Sequence, residues 1–417
     1  MRYAYCCLLA LMIGLNACQP PSAGTPAPKK SSPQKGLWRG VIALNDSIEL
    51  AFNFRWPQRA DSLFIYNDEE TIKAAVDSLG PDRFRVQMPV FANYLLFQAT
   101  EEGLEGQYVN PDAEQYRLPF HATYGDTFRY QSSQKPCCAP GGRWAVQLET
   151  QTGDPKPAIA HFESNGPNVA GTFLTETGDY RYLSGSISGD TMRLSAFDGA
   201  HLFYFEARLS EDSLRQGLFY SGRSYQAHWY AYHDSTLQLS DPDTLTYLKE
   251  GYENIAFSFP TLSGGDTLSL HDDNFAGHPV VVQIMGSWCP NCMDESRYLR
   301  QVYQQYYDQG LRMVGLTFER ARNRATALER ARKMKRDLQL PYPILLAGAT
   351  RKDKAEEALP MLNHVMSYPT TIYLDEKHRV QKIHTGFSGP GTPVYPEFVR
   401  ENKAFLQRLV GGPKQSP

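Results

Sequence analysis

The feature that most restricts the fold of this chain is a run of apolar residues that leads directly into two closely spaced cysteines. The run from Pro279 to Met285 has the composition of a central strand buried on both faces, and Cys289-Pro290-Asn291-Cys292 follows shortly after it. From Glu295 onward, apolar and aromatic residues recur at helical spacing, and Gly310 supplies a stop. We therefore predict a strand, a short turn and a helix, with the first cysteine at the helix N-terminus.

The segments after this junction continue to alternate between strand and helix patterns. The predicted elements are a strand at Met313–Phe318, a helix at Ala325–Leu338, a strand at Ile344–Ala347, a hairpin of Thr370–Leu374 and Val380–His384, and a helix at Pro396–Val410. Such alternation predicts a mixed α/β layer fold over 253–411.

The spacing of the two cysteines suits redox chemistry. A thiolate at a helix N-terminus is stabilised by unpaired backbone N–H groups and by the positive end of the helix dipole. Cys292 lies one helical turn beyond Cys289, close enough to form a disulfide with it after Cys289 has attacked a substrate. We expect Cys289 to be the nucleophile and Cys292 the resolving cysteine. A zinc site would need two further ligands, and no second CxxC or HxxxH motif is present, so we expect no bound metal.

The sequence Gly286-Ser287-Trp288-Cys289-Pro290-Asn291-Cys292 resembles the active site of thioredoxin-like proteins, in particular the TlpA/ResA type of membrane-anchored thiol:disulfide reductase. The similarity covers about residues 253 to 411. It implies a protein disulfide reductase that needs no cofactor, acts on protein disulfides and is reset by an upstream membrane thiol reductant. We expect Trp288 to pack near the thiolate and shield it, with Pro290 as a supporting residue.

Further positions match this family. Glu295 falls where the family carries an acidic residue near the thiol pair, and Glu319 resembles a second acidic position. Tyr368-Pro369 is similar to the family's cis-proline segment, in which a cis bond would leave the Tyr368 backbone open to pair with substrate. Gln283 stands where thioredoxin has a buried Asp, so proton transfer to or from Cys292 would depend on Glu295, Glu319 or water. The alternative for Glu295 is a solvated acid in the first helical turn.

The first residues predict export and a lipid anchor. A basic start with Arg2 precedes an apolar run from Cys6 to Leu15, which is too short to cross a bilayer. The small residues before Cys18 resemble the lipobox of bacterial lipoproteins, so we expect a signal peptide at 1–17, a lipid on Cys18 and a Pro/Ser/Lys-rich tether over 18–36. An ordinary signal peptide is the alternative. The predicted location is the cell envelope, anchored to a membrane and facing the periplasm, with the cell surface as the second possibility.

The stretch between the tether and the α/β domain contains a diverged internal duplication. Landmarks recur in the same order at an offset of about 106 to 111 residues. Gly36-Leu37-Trp38 matches Gly142-Arg143-Trp144, and Phe97-Gln98-Ala99 matches Phe205-Glu206-Ala207. Short strand patterns separated by turns predict an antiparallel barrel or sandwich-like arrangement in each unit. The sequence leaves open whether the units are two small barrels or two halves of one barrel.

Together these observations predict a multidomain chain with an all-β N-terminal region and a C-terminal α/β thioredoxin-like fold. At 417 residues, the chain exceeds what a single core can hold. The expected boundaries are a first β unit at 37–132, a joint at 133–141, a second β unit at 142–235, a linker at 236–252, the thioredoxin-like domain at 253–411 and a tail at 412–417.

Three further observations concern partners and side sites. Cys137 and Cys138 are adjacent in the joint and would form a strained, easily reduced disulfide, so a relay to Cys289 is conceivable, but we expect loop thiols incidental to function. His201, beside an apolar run, is expected to be a core or rim histidine. The formal net charge of −3 supplies no basic field that would attract nucleic acid.

We predict a thiol:disulfide oxidoreductase that reduces or exchanges disulfides of exported proteins. One alternative is a lipoprotein whose β units bind a ligand or partner, with the thioredoxin-like fold as an appendage, and a second is a thiol peroxidase. Intact cysteines argue against an appendage. The segment Met285-Gly286-Ser287-Trp288 lacks the Pro/Thr-containing loop that usually precedes a peroxidatic cysteine. The sequence leaves the direction of electron transfer open.

Overall fold

The computed structural model describes residues 34–57, 61–149, 153–350 and 352–411. Cys18, the predicted signal peptide at 1–17 and the tail at 412–417 lie outside the described residues. Within the described ranges, no helix is both long and apolar enough to cross a bilayer. These residues form two β barrels followed by an α/β domain.

The first β unit is a closed barrel of eight antiparallel strands. Its strands are β1 Gly36–Ala43, β2 Glu49–Trp56, β3 Ser62–Asn67, β4 Glu70–Ser78, β5 Arg83–Gln87, β6 Tyr94–Ala99, β7 Leu104–Asn110 and β8 Tyr116–Tyr124. Side chains alternate between interior and surface, since Leu118, Phe120 and Ala122 of β8 are buried while Pro119 and His121 are exposed. Pairing of β8 with β1 closes the sheet on itself.

The second β unit is also a barrel. Its strands are β9 Gly142–Glu149, β10 Pro155–Asn165, β11 Asn168–Thr175, β12 Gly178–Asp179, β13 Leu183–Ser188, β14 Thr191–Phe197, β15 Leu202–Leu209, β16 Ser213–Ser221 and β17 Tyr225–Tyr232. Pairing of β10 with both β9 and β11 closes eight strands, and the two-residue β12 lies beside β11 as an extra strand. The chain therefore contains two separate barrels rather than two halves of one.

The landmarks of the duplication fall on equivalent strands of the two barrels. Gly36-Leu37-Trp38 opens β1 and Gly142-Arg143-Trp144 opens β9, while Phe97-Gln98-Ala99 lies in β6 and Phe205-Glu206-Ala207 in β15. The two tryptophans also make equivalent contacts. Each is buried, and its indole N–H donates to a carbonyl oxygen a few residues earlier, at 3.1 Å in the first barrel and 3.2 Å in the second.

The two barrels pack against each other through β2, β3 and β14. The rings of Phe52 and Phe197 have centroids 4.6 Å apart. Asn67 bonds the backbone of Phe197 in both directions, donating to its carbonyl oxygen at 2.9 Å and accepting its N–H at 3.1 Å. The Ser195 hydroxyl donates to the carbonyl oxygen of Ala51 at 2.6 Å. Because these polar groups are buried, their pairing fixes the relative position of the barrels.

The C-terminal domain is a mixed α/β layer fold, as the sequence predicts. A hairpin of β18 Ser258–Pro260 and β19 Thr267–Ser269 precedes a sheet made of β20 Val280–Met285, β21 Arg312–Glu319, β22 Ile344–Ala349, β23 Thr370–Leu374 and β24 Val380–Thr385. The helices are α1 Pro290–Tyr306, α2 Arg324–Asp337, α3 Lys352–Ala358 and α4 Tyr395–Val410, and a short 3₁₀ helix, Tyr307–Gln309, follows α1. The sheet order is β22-β21-β20-β23-β24, with β20, β21 and β22 parallel and β20 wholly buried at the centre.

Helix α1 begins at Pro290, which puts Cys289 at its N-terminus as the sequence predicts. A proline at the first helical position has φ already set for a helix and lacks only an N–H that would be unpaired there. Helix α3 was not predicted, since a helix of seven residues is too short to display repeated apolar spacing.

Candidate active site

The two cysteines lie at the N-terminus of α1, where the chain leaves the buried strand β20. Cys289 is the N-cap residue, and its sulfur accepts the backbone N–H of Cys292 at 3.1 Å. The cysteines form a disulfide, with Cα atoms 5.2 Å apart. Pro290 is buried at the first helical position. Cys289 is 5% exposed and Cys292 is fully buried, so Cys289 is the cysteine that an incoming reactant can reach.

A proline loop and a tryptophan flank Cys289. The Tyr368-Pro369 peptide bond is cis, and the Cys289 sulfur lies 3.3 Å from the Tyr368 carbonyl oxygen. The Trp288 ring meets the Tyr368 ring edge-on, with centroids 5.5 Å apart, and its indole N–H donates to the Phe318 carbonyl oxygen at 2.9 Å. The Arg320 guanidinium lies 3.5 Å from the centroid of the Trp288 ring. Trp288 is therefore held on several sides next to the Cys289 sulfur.

Glu295 is buried, which rules out the solvated first-turn acid considered above. Its two carboxylate oxygens each accept one hydrogen bond at 2.8 Å, from the Gln283 amide and from the Thr371 hydroxyl. Burial raises the pKa of Glu295 to about 7, although both hydrogen bonds lower it. Glu295 can therefore exchange a proton near neutral pH. Gln283, which stands where thioredoxin has a buried Asp, holds this carboxylate in place.

Glu319, the last residue of β21, holds the turn that precedes Cys289. Its carboxylate accepts the Ser287 backbone N–H at 3.1 Å and the Ser287 hydroxyl at 2.6 Å, and the Thr317 hydroxyl also donates to it. Burial raises the pKa of Glu319, and these hydrogen bonds oppose that shift. The contacts make Glu319 a residue that positions the turn carrying Trp288 and Cys289.

A cavity of about 470 Å³ opens beside Cys289. All three modules line it: Val90 to Asn93 from the first barrel, Thr177 to Tyr180 and His201 from the second, and Ser287 to Asn291 with Tyr368 from the α/β domain. The dithiol therefore faces a cleft between the three modules.

Sequence reasoning missed the residues of the second barrel that contact the active site. The Asn291 amide donates to the carbonyl oxygens of Asp179 and Phe387, at 3.3 Å each. The buried Arg181 pairs with Asp294, two residues beyond Cys292. These partners are about 110 residues apart in the chain, so no local pattern could have related them.

Of the two side features of the sequence, the adjacent cysteines lie away from the cavity and His201 lines it. The sulfurs of Cys137 and Cys138 are 2.8 Å apart as free thiols, and neither residue lines the cavity. Burial raises the pKa of the Cys138 thiol to about 12, so it resists forming a thiolate. His201 lies at the cavity rim, 3.1 Å from an oxygen of Asp198 and stacked on Phe203.

Comparisons with known proteins match the C-terminal part of the chain. A family model described as Redoxin matches residues 249–396. The thioredoxin-like protein YneN of Bacillus subtilis is 33% identical over 143 residues, which are 33% of this chain and 73% of YneN. The thiol:disulfide interchange protein DsbE of Vibrio cholerae is 32% identical over 78 residues, which are 18% of this chain and only 37% of that protein. The solved structure of a secreted thiol-disulfide isomerase from Corynebacterium glutamicum aligns with 42% of this chain and 98% of its own length, at 20% identity and a TM-score of 0.32.

Proposed function

Because this chain belongs to the thioredoxin-like family of thiol:disulfide oxidoreductases, we propose that it exchanges disulfides of exported proteins through Cys289 and Cys292. The observation that supports this role most directly is the disulfide between Cys289, at the N-cap of α1, and the buried Cys292. A reactant can approach one sulfur of the pair, and the other sulfur is held within bonding distance of the first.

In the proposed reaction the reduced protein transfers two electrons to a substrate disulfide. The Cys289 thiolate, stabilised by the Cys292 backbone N–H and the helix dipole, attacks one substrate sulfur and displaces the other as a thiolate. The Cys292 thiolate then attacks the Cys289 sulfur of the mixed disulfide, releases the second substrate thiolate and leaves the Cys289–Cys292 disulfide. A dithiol reductant must donate two electrons to restore the starting state.

Glu295 is the proposed proton acceptor for the second step. Cys292 is fully buried, so its thiol needs a nearby base before it can attack. Glu295 lies one helical turn beyond Cys292, and a pKa of about 7 allows it to take a proton at neutral pH and to return it later. Glu319 and Trp288 would act by positioning Cys289, and the Tyr368 backbone beside Pro369 would pair with the substrate.

The setting of this reaction follows from the N-terminal sequence. A lipid on Cys18 would hold the protein at a membrane of the cell envelope, with its folded part in the periplasm. An upstream membrane thiol reductant would then supply the electrons, and the protein would work as a TlpA-like disulfide reductase.

The experiment is turnover of a linear peptide disulfide by the full chain with a dithiol reductant. Cys289→Ser should abolish turnover, and Cys292→Ser should accumulate a mixed disulfide between Cys289 and the peptide, visible by non-reducing electrophoresis. The double variant Cys137→Ser/Cys138→Ser is the matched control and should keep full activity. Full cellular function of Cys289→Ser would favour the binding-protein alternative, and consumption of hydrogen peroxide in preference to the peptide disulfide would favour the peroxidase.

A further inference from the structure

A turn of the second barrel covers part of the surface around Cys289. The turn between β11 and β12 brings Thr177 and Gly178 against the α/β domain, where the Ser367 hydroxyl donates to the Thr177 carbonyl oxygen at 3.0 Å. Gly178, with φ of 144°, lies so close to the Asn291 amide that a Cβ atom at this position would overlap it. The turn thus rests on both the CxxC segment and the segment before the cis-proline.

The first barrel closes a second side of the same space. Its loop from Met88 to Asn93 lies on α2, where the Val90 N–H donates to the Asp337 carboxylate at 3.0 Å and Lys333 donates to the Met88 carbonyl oxygen at 3.1 Å. Arg330 of α2 pairs with Asp112 of the first barrel at 3.1 Å. These contacts join the first barrel to helix α2 of the domain that carries the dithiol. The turn of the second barrel contacts other parts of that domain, the CxxC segment and the segment before Pro369.

A buried ion cluster fixes all three modules relative to one another. Arg181 of the second barrel pairs with Glu70 of the first barrel, with Asp294 of α1 and, at 3.3 Å, with Asp198 of its own barrel. All four side chains are nearly or fully buried. Separating the modules would remove the Arg181 guanidinium from Glu70 and from Asp294, and breaking a buried ion pair is strongly unfavourable. The cleft beside Cys289 is therefore a persistent feature of the fold.

This inference rests on the proposed function. The geometry points to a substrate whose disulfide lies on an extended peptide segment, and not on the surface of a folded domain. A volume of about 470 Å³ matches cavities that hold small ligands, and so admits a few residues of an extended chain. A folded domain presenting a surface disulfide would collide with the barrels before its sulfur reached Cys289, which is only 5% exposed.

Access can be measured without any catalysis. The full chain is reduced, and Cys289 is alkylated either with N-ethylmaleimide or with a maleimide carrying a large polyethylene glycol, the extent being read by mass spectrometry of the Cys289 peptide. We compare the rate of the large reagent with that of the small one, in the native chain and in the urea-denatured chain. The ratio of large to small should be at least about tenfold lower in the native chain, because the state in which the barrels have moved away is a minor population. Equal relative rates in the native and denatured chains would overturn the inference.

A glycine pair supplies the matched variants. Gly178→Ala places a Cβ on the Asn291 amide and close to the Phe387 carbonyl oxygen, at a φ of 144° that alanine rarely adopts, so the turn should shift and alkylation by the large reagent should become faster. Gly166→Ala, in the turn between β10 and β11 of the same barrel, also places alanine at positive φ but meets open space, so access should stay as in the wild type. Equal access in both variants would argue against the turn as the barrier.

A second experiment tests two substrates that carry the same mixed disulfide, formed between a cysteine residue and cysteamine. In one substrate the cysteine belongs to a short unstructured peptide, and in the other it lies on the surface of a folded domain. We expect the peptide to react at least about tenfold faster, for the same reason of access. Equal rates on the two carriers would refute the substrate class while leaving the proposed function intact. Failure to react with either carrier, together with normal alkylation of Cys289, would refute the proposed function instead.

Discussion

Replacing Glu295 by Gln should remove a pH-dependent loss of stability from the C-terminal domain. Burial raises the pKa of Glu295 to about 7 in the folded protein, from an ordinary value of 4.5. Between these pH values the unfolded chain has lost the Glu295 proton while the folded chain keeps it, so the free energy of unfolding falls as the pH rises. At about 1.4 kcal/mol per pH unit, the loss amounts to about 3 kcal/mol and is complete above the folded-state pKa.

Gln is the matched replacement because it has the shape of Glu and cannot ionise. Its carbonyl oxygen can accept from the Gln283 amide, and its own amide can donate to the Thr371 hydroxyl oxygen. At a pH below 4.5 the two proteins should therefore have similar free energies of unfolding. Above the folded-state pKa, Glu295→Gln should be the more stable protein, by about 3 kcal/mol.

The assay is amide hydrogen exchange of peptides from β20 and α1, which reports opening of the C-terminal domain separately from the barrels. Wild type and Glu295→Gln are compared at the same pH, from about pH 4 to about pH 9, so that the intrinsic pH dependence of exchange cancels. A stability difference that stays constant over this range would refute the assignment of a near-neutral pKa to Glu295. So would a wild type that gains stability relative to the variant as the pH rises.

Three further predictions concern the anchor, the barrel core and the ion cluster. Cys18→Ala should release the protein from membranes into the soluble fraction on cell fractionation, and unchanged membrane association would contradict the lipid anchor. Phe173→Ala, at a fully buried position in the second barrel, should cost about 3–5 kcal/mol in the free energy of unfolding by urea, and an unchanged midpoint would contradict its place in the core. Arg181→Met should cost about 3–5 kcal/mol in the same assay because it removes the buried cation that Glu70, Asp198 and Asp294 share, whereas Arg400→Met, which breaks an exposed ion pair, should cost under about 1 kcal/mol. Equal costs for the two arginines would contradict the burial of the cluster.

The parts of the site that the sequence could predict are those built from neighbouring residues. The strand β20, Cys289 and helix α1 follow one another directly, so apolar spacing and turn residues were enough to place the dithiol at a helix N-terminus. The duplicated landmarks likewise predicted two similar β units, but pairing of β10 with β11 was needed to show that each unit closes by itself.

Burial and long-range contacts could not be predicted from local patterns. The position of Glu295 in a helix does not indicate whether its carboxylate meets water, and its burial depends on Gln283 and Thr371 from two strands of the sheet. The contact between Gly178 and Asn291 joins modules whose docking leaves no periodic trace in the sequence. The sequence therefore predicted the position of the two cysteines in the α/β domain but not the cleft that the barrels form beside them.

The order of the modules along the chain determines when each member of the ion cluster around Arg181 can take its place during folding. Domains generally fold as units, the N-terminal ones first while the chain is still being made. Glu70 and Arg181 belong to barrels that precede the dithiol in the sequence, so a chain exported N-terminus first can fold both barrels before Cys289 emerges. Asp294 then joins a cluster whose other members already stand in place. Cys289 and Cys292 thus fold against barrels that are already assembled, which shortens the time in which they can form non-native disulfides.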